Sequence, residues 1–278
     1  MKKILPVILF FVLFLTENET FAFEGFSTVG SRAAGMGGAS VTLTDFWSIH
    51  NNPAGLANLN RMAAGLAYQN RFQMKELGLK SAGVAIPMNF GVIAASFNQY
   101  GYKHYYENKL GLLYSRSFGP SLRMGLQLDY LSSRFSEGYP GSDHLTFEFG
   151  VQYDLTSKLS IGTMIFNPIS VKRSELTNER VPVVFRFGLS YQITETLLMV
   201  GEFDKNSDLE PDAHFGLEYR LNDKFYARTG VAVNPGLLSF GAGWNVGAFT
   251  LDLAGSLEQV LGSRVQASVV YHFGKDRK

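Results

Sequence analysis

The chain contains no cysteine, which excludes a disulfide framework and any thiolate metal centre. Beyond its first residues it has no run of roughly 18 apolar residues, the length a membrane-spanning helix needs. Net charge is almost absent, with 25 Lys and Arg against 24 Asp and Glu, formally +1. That balance gives no pointer to nucleic acid or to an acidic partner. Catalytic signatures are missing as well. There is no His-Glu-x-x-His and no Gly-x-Ser-x-Gly, and no Lys-Ser/Thr follows Gly35-Met36-Gly37-Gly38 to make a phosphate loop. His50, His104, His144, His214 and His272 are scattered. Asp204, Asn206, Asp208, Glu210 and Asp212 alternate oxygen ligands, but Leu209 and Phe215 stand where an EF-hand loop needs Gly and Glu. The segment reads as a solvated acidic loop. The expectation is a non-enzyme with no catalytic residue, no cofactor and no metal.

What the chain does have begins with a signal peptide, residues 1–22. Lys2 and Lys3 precede an apolar stretch at 4–15 that is too short to span a bilayer, and Thr20-Phe21-Ala22 offers a small-residue cleavage site. Its removal takes away Lys2, Lys3, Glu17 and Glu19, so the charge stays balanced. The mature protein is expected to be exported without a helical anchor, and the outer membrane is the expected location.

The rest is strand after strand. Leu122, Met124, Leu126, Leu128 and Tyr130 alternate with Arg123, Gly125, Gln127 and Asp129. Leu145, Phe147, Phe149, Val151 and Tyr153 alternate with Thr146, Glu148, Gly150 and Gln152. Period two over 7 to 11 residues is the strand signature. About fourteen such segments occur, starting near residues 61, 76, 90, 103, 121, 143, 158, 181, 196, 210, 223, 236, 248 and 263. Tight turns such as Phe118-Gly119-Pro120 and Asn222-Asp223-Lys224 alternate with longer polar stretches at 101–108, 136–143, 170–180 and 204–212. An even strand number with short turns at one end and longer loops at the other is the pattern of outer-membrane barrels.

The polar parity carries Arg123, Asp129, Glu148, Arg186, Glu202, Glu218, Arg220 and Asp252, with almost no lysine in strand interiors. Soluble sheets use lysine to protect exposed edges. Charges of both signs in mid-strand suit a crowded polar lumen instead. Phe149, Leu126 and Phe187 are then expected to face lipid, and Glu148, Gln127 and Arg186 the lumen. Tyrosines including Tyr68, Tyr114 and Tyr153 are expected near the membrane interfaces. The polar parity shows no concentrated apolar patch. The fold class is all-β, a transmembrane antiparallel β-barrel of about 14 strands.

Before the first strand stands a different segment, GSRAAGMGGASVTLTDFWSIHNNPAGLANL, rich in Gly, Ala and Asn. A bore this wide needs filling, since sixteen to eighteen strands already leave an aqueous channel. Small side chains and glycines let a segment fold compactly inside a tube. We expect a plug that uses Asp45, Asn51 and Asn52 to bond the inner wall, with Trp47 and His50 packed against it. The segment carries Arg32, Ala33, Ala34, Gly35, Met36, Gly37, Gly38 and Ala39, then Asp45, and Asn52, Pro53, Ala54, Gly55 and Leu56. With the barrel that follows, it resembles the FadL-like outer-membrane proteins, and most nearly their PorV/PorQ-type branch. The resemblance implies fourteen strands and an N-terminal lumenal hatch, with Arg32, Gly35, Met36, Gly37, Gly38, Asp45, Asn51, Asn52, Pro53, Ala54 and Gly55 as the hatch motif. The expected division is a hatch at 23–60, a barrel at 61–273 and a tail at 274–278.

The function this implies is a non-catalytic accessory of protein secretion or surface attachment, type IX-like, with outer-membrane lipid and secretion-machinery subunits as partners. The alternatives are a FadL-like channel whose partner is a small hydrophobic ligand, or a purely structural barrel. The missing apolar lumen patch favours the accessory.

Overall fold

The computed structural model describes residues 28–136, 141–172, 180–259 and 262–274. The signal-peptide expectation at 1–22, the first residues of the expected hatch and residues 275–278 of the tail lie outside these.

Fourteen strands follow one another. They are β1 Ala63–Arg71, β2 Met74–Met88, β3 Gly91–Tyr102, β4 Tyr105–Phe118 and β5 Leu122–Phe135. Then come β6 Ser142–Asp154, β7 Leu159–Phe166, β8 Val184–Thr194, β9 Leu197–Asn206 and β10 Asp212–Arg220. β11 Phe225–Ala232, β12 Leu237–Val246, β13 Phe249–Glu258 and β14 Gly262–His272 complete the set. Each pairs antiparallel with its neighbours in sequence, and β1 closes the barrel on β14 from Ala63↔His272 to Arg71↔Arg264. Every start read from the sequence falls within three residues of a strand start.

Period-two alternation sorts the wall into two faces because successive side chains point to opposite sides of a strand. On β5 and β6, Gln127 and Glu148 are fully buried, whereas Leu128 and Leu145 are 60% and 71% exposed. Leu126 and Phe187 lie on the exposed face and Phe149 shares their parity, while Arg186 is buried. Large apolar side chains thus coat the outside all the way round, as an outer-membrane barrel requires. The fold is closed, so no sheet edge is left to pair with another chain. Leu128→Arg near the middle of β5 is expected to cost about 2–4 kcal/mol in the membrane. On SDS gels its heat-modifiable folded band should weaken, while Asp208→Arg in the β9–β10 connection should keep it.

Two local expectations change. Residues 101–108 do not form a long loop. β3 runs to Tyr102, β4 resumes at Tyr105, and these two residues pair across a two-residue turn. Glu107, read as part of that loop, is a buried lumen-facing strand residue, as is Lys109 just beyond it. Lysine is also not confined to turns, because Lys109 lies inside the wall beside Asp129 at 3.8 Å and in contact with Glu148. The β1–β2 connection is tight too, with Phe72 and Gln73 at φ +55° and +58°. These values suit the primed hairpin turns that match strand twist.

Candidate functional site

Residues 28–60 fold inside the barrel. The segment makes two single-turn helices, α1 Ser31–Ala34 and α2 Ser48–Asn51, then a 3-10 helix at Pro53–Asn58. Asn52 starts the last of these. Its Oδ1 accepts the Ala54 amide at 3.1 Å, and Pro53 occupies the first helical position, where no amide is needed. After α1 the chain reverses through Gly37 and Gly38 at φ +73° and +93°, a region glycine enters without steric cost.

The hatch has an apolar side. Val29, Phe46, Trp47, Ile49 and Leu56 pack on Ala63, Ala67, Leu79, Ala85, Val92, Ala94, Leu113 and Val270. These wall residues come from β14 and β1 to β4. The lumen therefore does carry an apolar patch, contrary to the reading of the polar parity. The patch escapes a strand-by-strand reading because half of it is alanine and it is spread over five strands.

The opposite side is polar and bonds the wall through backbone as much as through side chains. Arg32 grips Glu218 of β10 with two bonds, Nε to Oε2 at 2.9 Å and Nη2 to Oε1 at 2.7 Å. Its Nη1 reaches Asp45 at 3.1 Å. Behind Glu218, Arg228 of β11 donates to Glu218 and to Asp252 of β13, each at 2.6 Å. Burial works against the Arg32 charge, but the carboxylates of Glu218 and Asp45 outweigh it and hold the guanidinium above its ordinary pKa. Glu202 of β9 accepts the amides of Ser40 and Val41 at 2.6 and 2.7 Å. Gln152 of β6 donates to the carbonyls of Val41 and Leu43 at 2.9 and 3.0 Å. Gly37 donates to Ser239 Oγ at 2.8 Å and Ser31 to Ser268 Oγ at 3.1 Å. His214 Nδ1 donates to the Gly37 carbonyl at 2.7 Å.

The motif residues are therefore brought together in the bore, but with different partners from those expected. Asp45 bonds Arg32 and the Trp47 amide, both within the hatch. Asn51 exchanges bonds with Val29 at 3.0 and 2.8 Å, again within the hatch. Asn52 donates to Val41 at 2.6 Å, reaches the Thr163 carbonyl of the wall at 3.4 Å and lies against Gly150 of β6. Small polar residues in a compact segment cap their own backbone first. The wall is met by Arg32, by His50 through Asn98, by the amides of Ser31, Gly37, Ser40 and Val41, and by the carbonyls of Gly37, Val41, Leu43 and Ala54. Glu202 and Glu218 were legible as mid-strand charges and Gln152 as a residue of the polar parity; Arg228, Ser239 and Ser268 were not singled out.

Glycines on both the hatch and the wall set how closely the two can approach. A Cβ on Gly35 would come within 2.9 Å of the Gly241 Cα, and one on Gly125 within 2.7 Å of the Ala54 amide. Trp47 and His50 pack as expected, their rings stacked at 6.1 Å. Burial, reinforced by the Lys109 charge, pushes the His50 imidazole down to about 3 and keeps it neutral.

A cavity lies on each side of the hatch. One of about 360 Å³, at the end of the short turns, is lined by Arg32, Asp45, Phe46, Trp47, Leu59, Glu218, Arg228 and Asp252 among others. One of about 650 Å³, at the end of the long loops, includes Thr28, Ala34, Gly37, Gly38, Phe72, Arg186, Asp204, His214, Leu237 and Glu258. Hatch residues 28–38 line both. Among the described residues no group of three or more His, Asp or Glu is placed to hold a metal ion. Asp204 and Asp212 of the acidic stretch instead serve Arg186 and the amides of Ala213, Val233 and Asn234.

Arg32→Lys keeps the charge but removes the fork that grips Glu218 and Asp45 together, since a lysine is a point charge. The expected result in planar bilayers is an assembled barrel with more frequent brief openings. Openings as rare as in the intact protein would mean that this grip does not hold the hatch.

No family model matches the chain, and no curated protein matches it in sequence. Solved structures do match its fold. The Ralstonia pickettii toluene transporter TbuX is 13% identical with a TM-score of 0.68, over 90% of this chain and 99% of that one. The Pseudomonas putida toluene transporter TodX is 13% identical with a TM-score of 0.65, over 90% and 98%. A Pseudomonas aeruginosa FadL homologue is 12% identical with a TM-score of 0.64, over 89% and 99%. At these identities the likeness is one of fold: a closed fourteen-stranded barrel of the FadL type. Nothing in it singles out the PorV/PorQ branch.

Proposed function

We propose that the protein is a non-catalytic outer-membrane channel for small hydrophobic molecules, closed by residues 28–60. The observation that carries this reading is the two-sided hatch. It is bonded densely to the charged wall of β6, β9, β10, β12 and β14 and mainly packed against the apolar wall of β14 and β1 to β4. On that second wall, hydrogen bonds join His50 Nδ1 with Asn98 at 3.1 Å and Ser115 to the Ala54 carbonyl at 3.3 Å. Apolar packing is non-directional, so that side can part and re-form around an apolar guest. The hydrogen-bonded side holds the hatch in place meanwhile. The solved barrels of the same fold include toluene transporters, which supports the same class of cargo. The accessory role in secretion followed the PorV/PorQ resemblance and was favoured by a lumen without an apolar patch, and the patch on β1 to β4 removes that second argument.

The test is uptake of labelled toluene by porin-deficient cells. The intact protein should raise the rate over cells carrying an empty vector, without sensitising them to large hydrophilic antibiotics. No rise in uptake would refute the channel reading.

A further inference from the structure

The two cavities flanking the hatch say more about the cargo than the word hydrophobic does. Their walls mix apolar side chains with charges that are already matched. On the long-loop side Arg186 pairs with Asp204 at 3.1 Å, and Arg264 pairs with Glu258. On the short-turn side Arg32 holds Glu218 and Arg228 holds Asp252. A cargo of either charge sign would have to break such a pair, and leaving one partner of a buried pair alone is strongly unfavourable. A pure hydrocarbon breaks nothing, but it covers polar groups and returns no hydrogen bond.

Each cavity also contains a lining residue with one buried polar atom that has no hydrogen-bond partner. On the long-loop side it is Oε1 of Glu258, an acceptor, in a residue 5% exposed. On the short-turn side it is Nε1 of Trp47, a donor, in a residue 2% exposed. Buried polar atoms are nearly always satisfied, so the orphaned Glu258 Oε1 and Trp47 Nε1 in the linings of the two cavities are informative. A hydroxyl is the smallest uncharged group that can donate to one and accept from the other.

We propose that the cargo is a small uncharged molecule with an apolar body and one hydroxyl group, an alcohol or a phenol. The proposal rests on the channel reading. The molecule gives its proton to Glu258 on the outer side of the hatch and accepts from Trp47 on the inner side. Its body meets Phe72, Val184 and Leu237 first, then Phe46, Leu59 and Val270. The charged pairs stay intact throughout.

The experiment compares four labelled probes of one size in porin-deficient cells: benzyl alcohol, toluene, benzoate and benzylammonium. Uptake by cells with an empty vector is subtracted. Benzyl alcohol is expected to enter about tenfold faster than toluene, the worth of one or two hydrogen bonds, with both ions slower still. Trp47→Phe keeps a ring against His50 but removes the N–H, and should cut the alcohol-to-toluene ratio by about threefold to tenfold. Toluene entering as fast as benzyl alcohol would overturn the proposal and leave the channel reading standing. Ions entering as fast as the alcohol would overturn it in favour of an unselective polar pore. If no probe shows protein-dependent uptake, the channel reading fails and the proposal with it. Should Trp47→Phe fail to assemble, the four-probe comparison in the intact protein still decides.

Discussion

Deletion of residues 30–57 is expected to leave an assembled barrel that conducts several-fold more than the intact protein. The barrel does not need the hatch as scaffold. All fourteen ladders run strand to strand, including the closure of β1 on β14, and the hatch supplies no strand. The wall groups that serve the hatch will not be stranded in a dry interior. Glu202, Glu218 and Gln152 will face the water that fills the emptied bore, and hydration replaces the lost bonds at little net cost. Arg228 still neutralises Glu218 and Asp252. The apolar patch becomes wet, but half of the wall residues named in it are alanine, which limits the apolar area newly exposed. What disappears is the segment that lies across the bore between the two cavities. The measurements are the heat-modifiable band, single-channel conductance and sensitivity of cells to large antibiotics. A folded band with unchanged conductance would show that the segment does not close the bore. Loss of the folded band would show that it is scaffold after all.

The strands were legible because their signal is local. Alternation needs only a residue and its neighbours, and a barrel with lipid outside and polar groups inside keeps the two parities chemically distinct. Reading failed where a lumen residue looks like a loop residue. Glu107, Asn108 and Lys109 are polar in a row, and nothing within the chain segment shows that Glu107 and Lys109 turn into a buried wall while Asn108 does not. The closing pair of β4, the neighbouring β3 at Tyr100 and Gln99, decides it.

The hatch shows the same limit at longer range. Its Gly, Ala and Asn content marks it as compact, and Asn52-Pro53 marks a turn, because both are properties of neighbouring residues. Its partners are not. Ser40 and Glu202 are 162 residues apart in sequence and Arg32 and Glu218 are 186 apart. Asp45 and Asn51 were natural candidates for the wall by residue type. In the fold, Arg32 and Val29 reach them first. The apolar patch has the same cause: alanines at 63, 67, 85 and 94 are unremarkable in their own strands and form a surface only when three neighbouring strands, β1 to β3, are laid side by side.

Gly230→Val should open the bore nearly as far as deletion does, from a change in the wall rather than in the hatch. Gly230 of β11 pairs with Gly216 of β10, and together they make a bare strip over which Met36 and Gly37 lie. A Cβ on Gly230 would come within 2.7 Å of the Met36 Cα, and one on Gly216 within 2.6 Å of the Met36 carbonyl oxygen. These are backbone atoms, which have no rotamer to change. The ladder itself welcomes a valine, since β-branched residues suit strands. The clash must therefore be relieved by the hatch. Displacing Gly37 breaks its bonds to Ser239 and His214 and loosens α1 with its Arg32 grip. The barrel should still show its folded band, conductance should rise towards that of the deletion, and the bond after Arg32 should become open to trypsin. Gly255→Val on β13 is the control. The nearest atom to its added Cβ is the Arg264 carbonyl oxygen at 4.0 Å, so conductance and trypsin resistance should match the intact protein. If Gly230→Val folds with the bore still closed and Arg32 still protected, the hatch is held by its apolar side alone. The charged wall then gives up the anchoring role assigned to it.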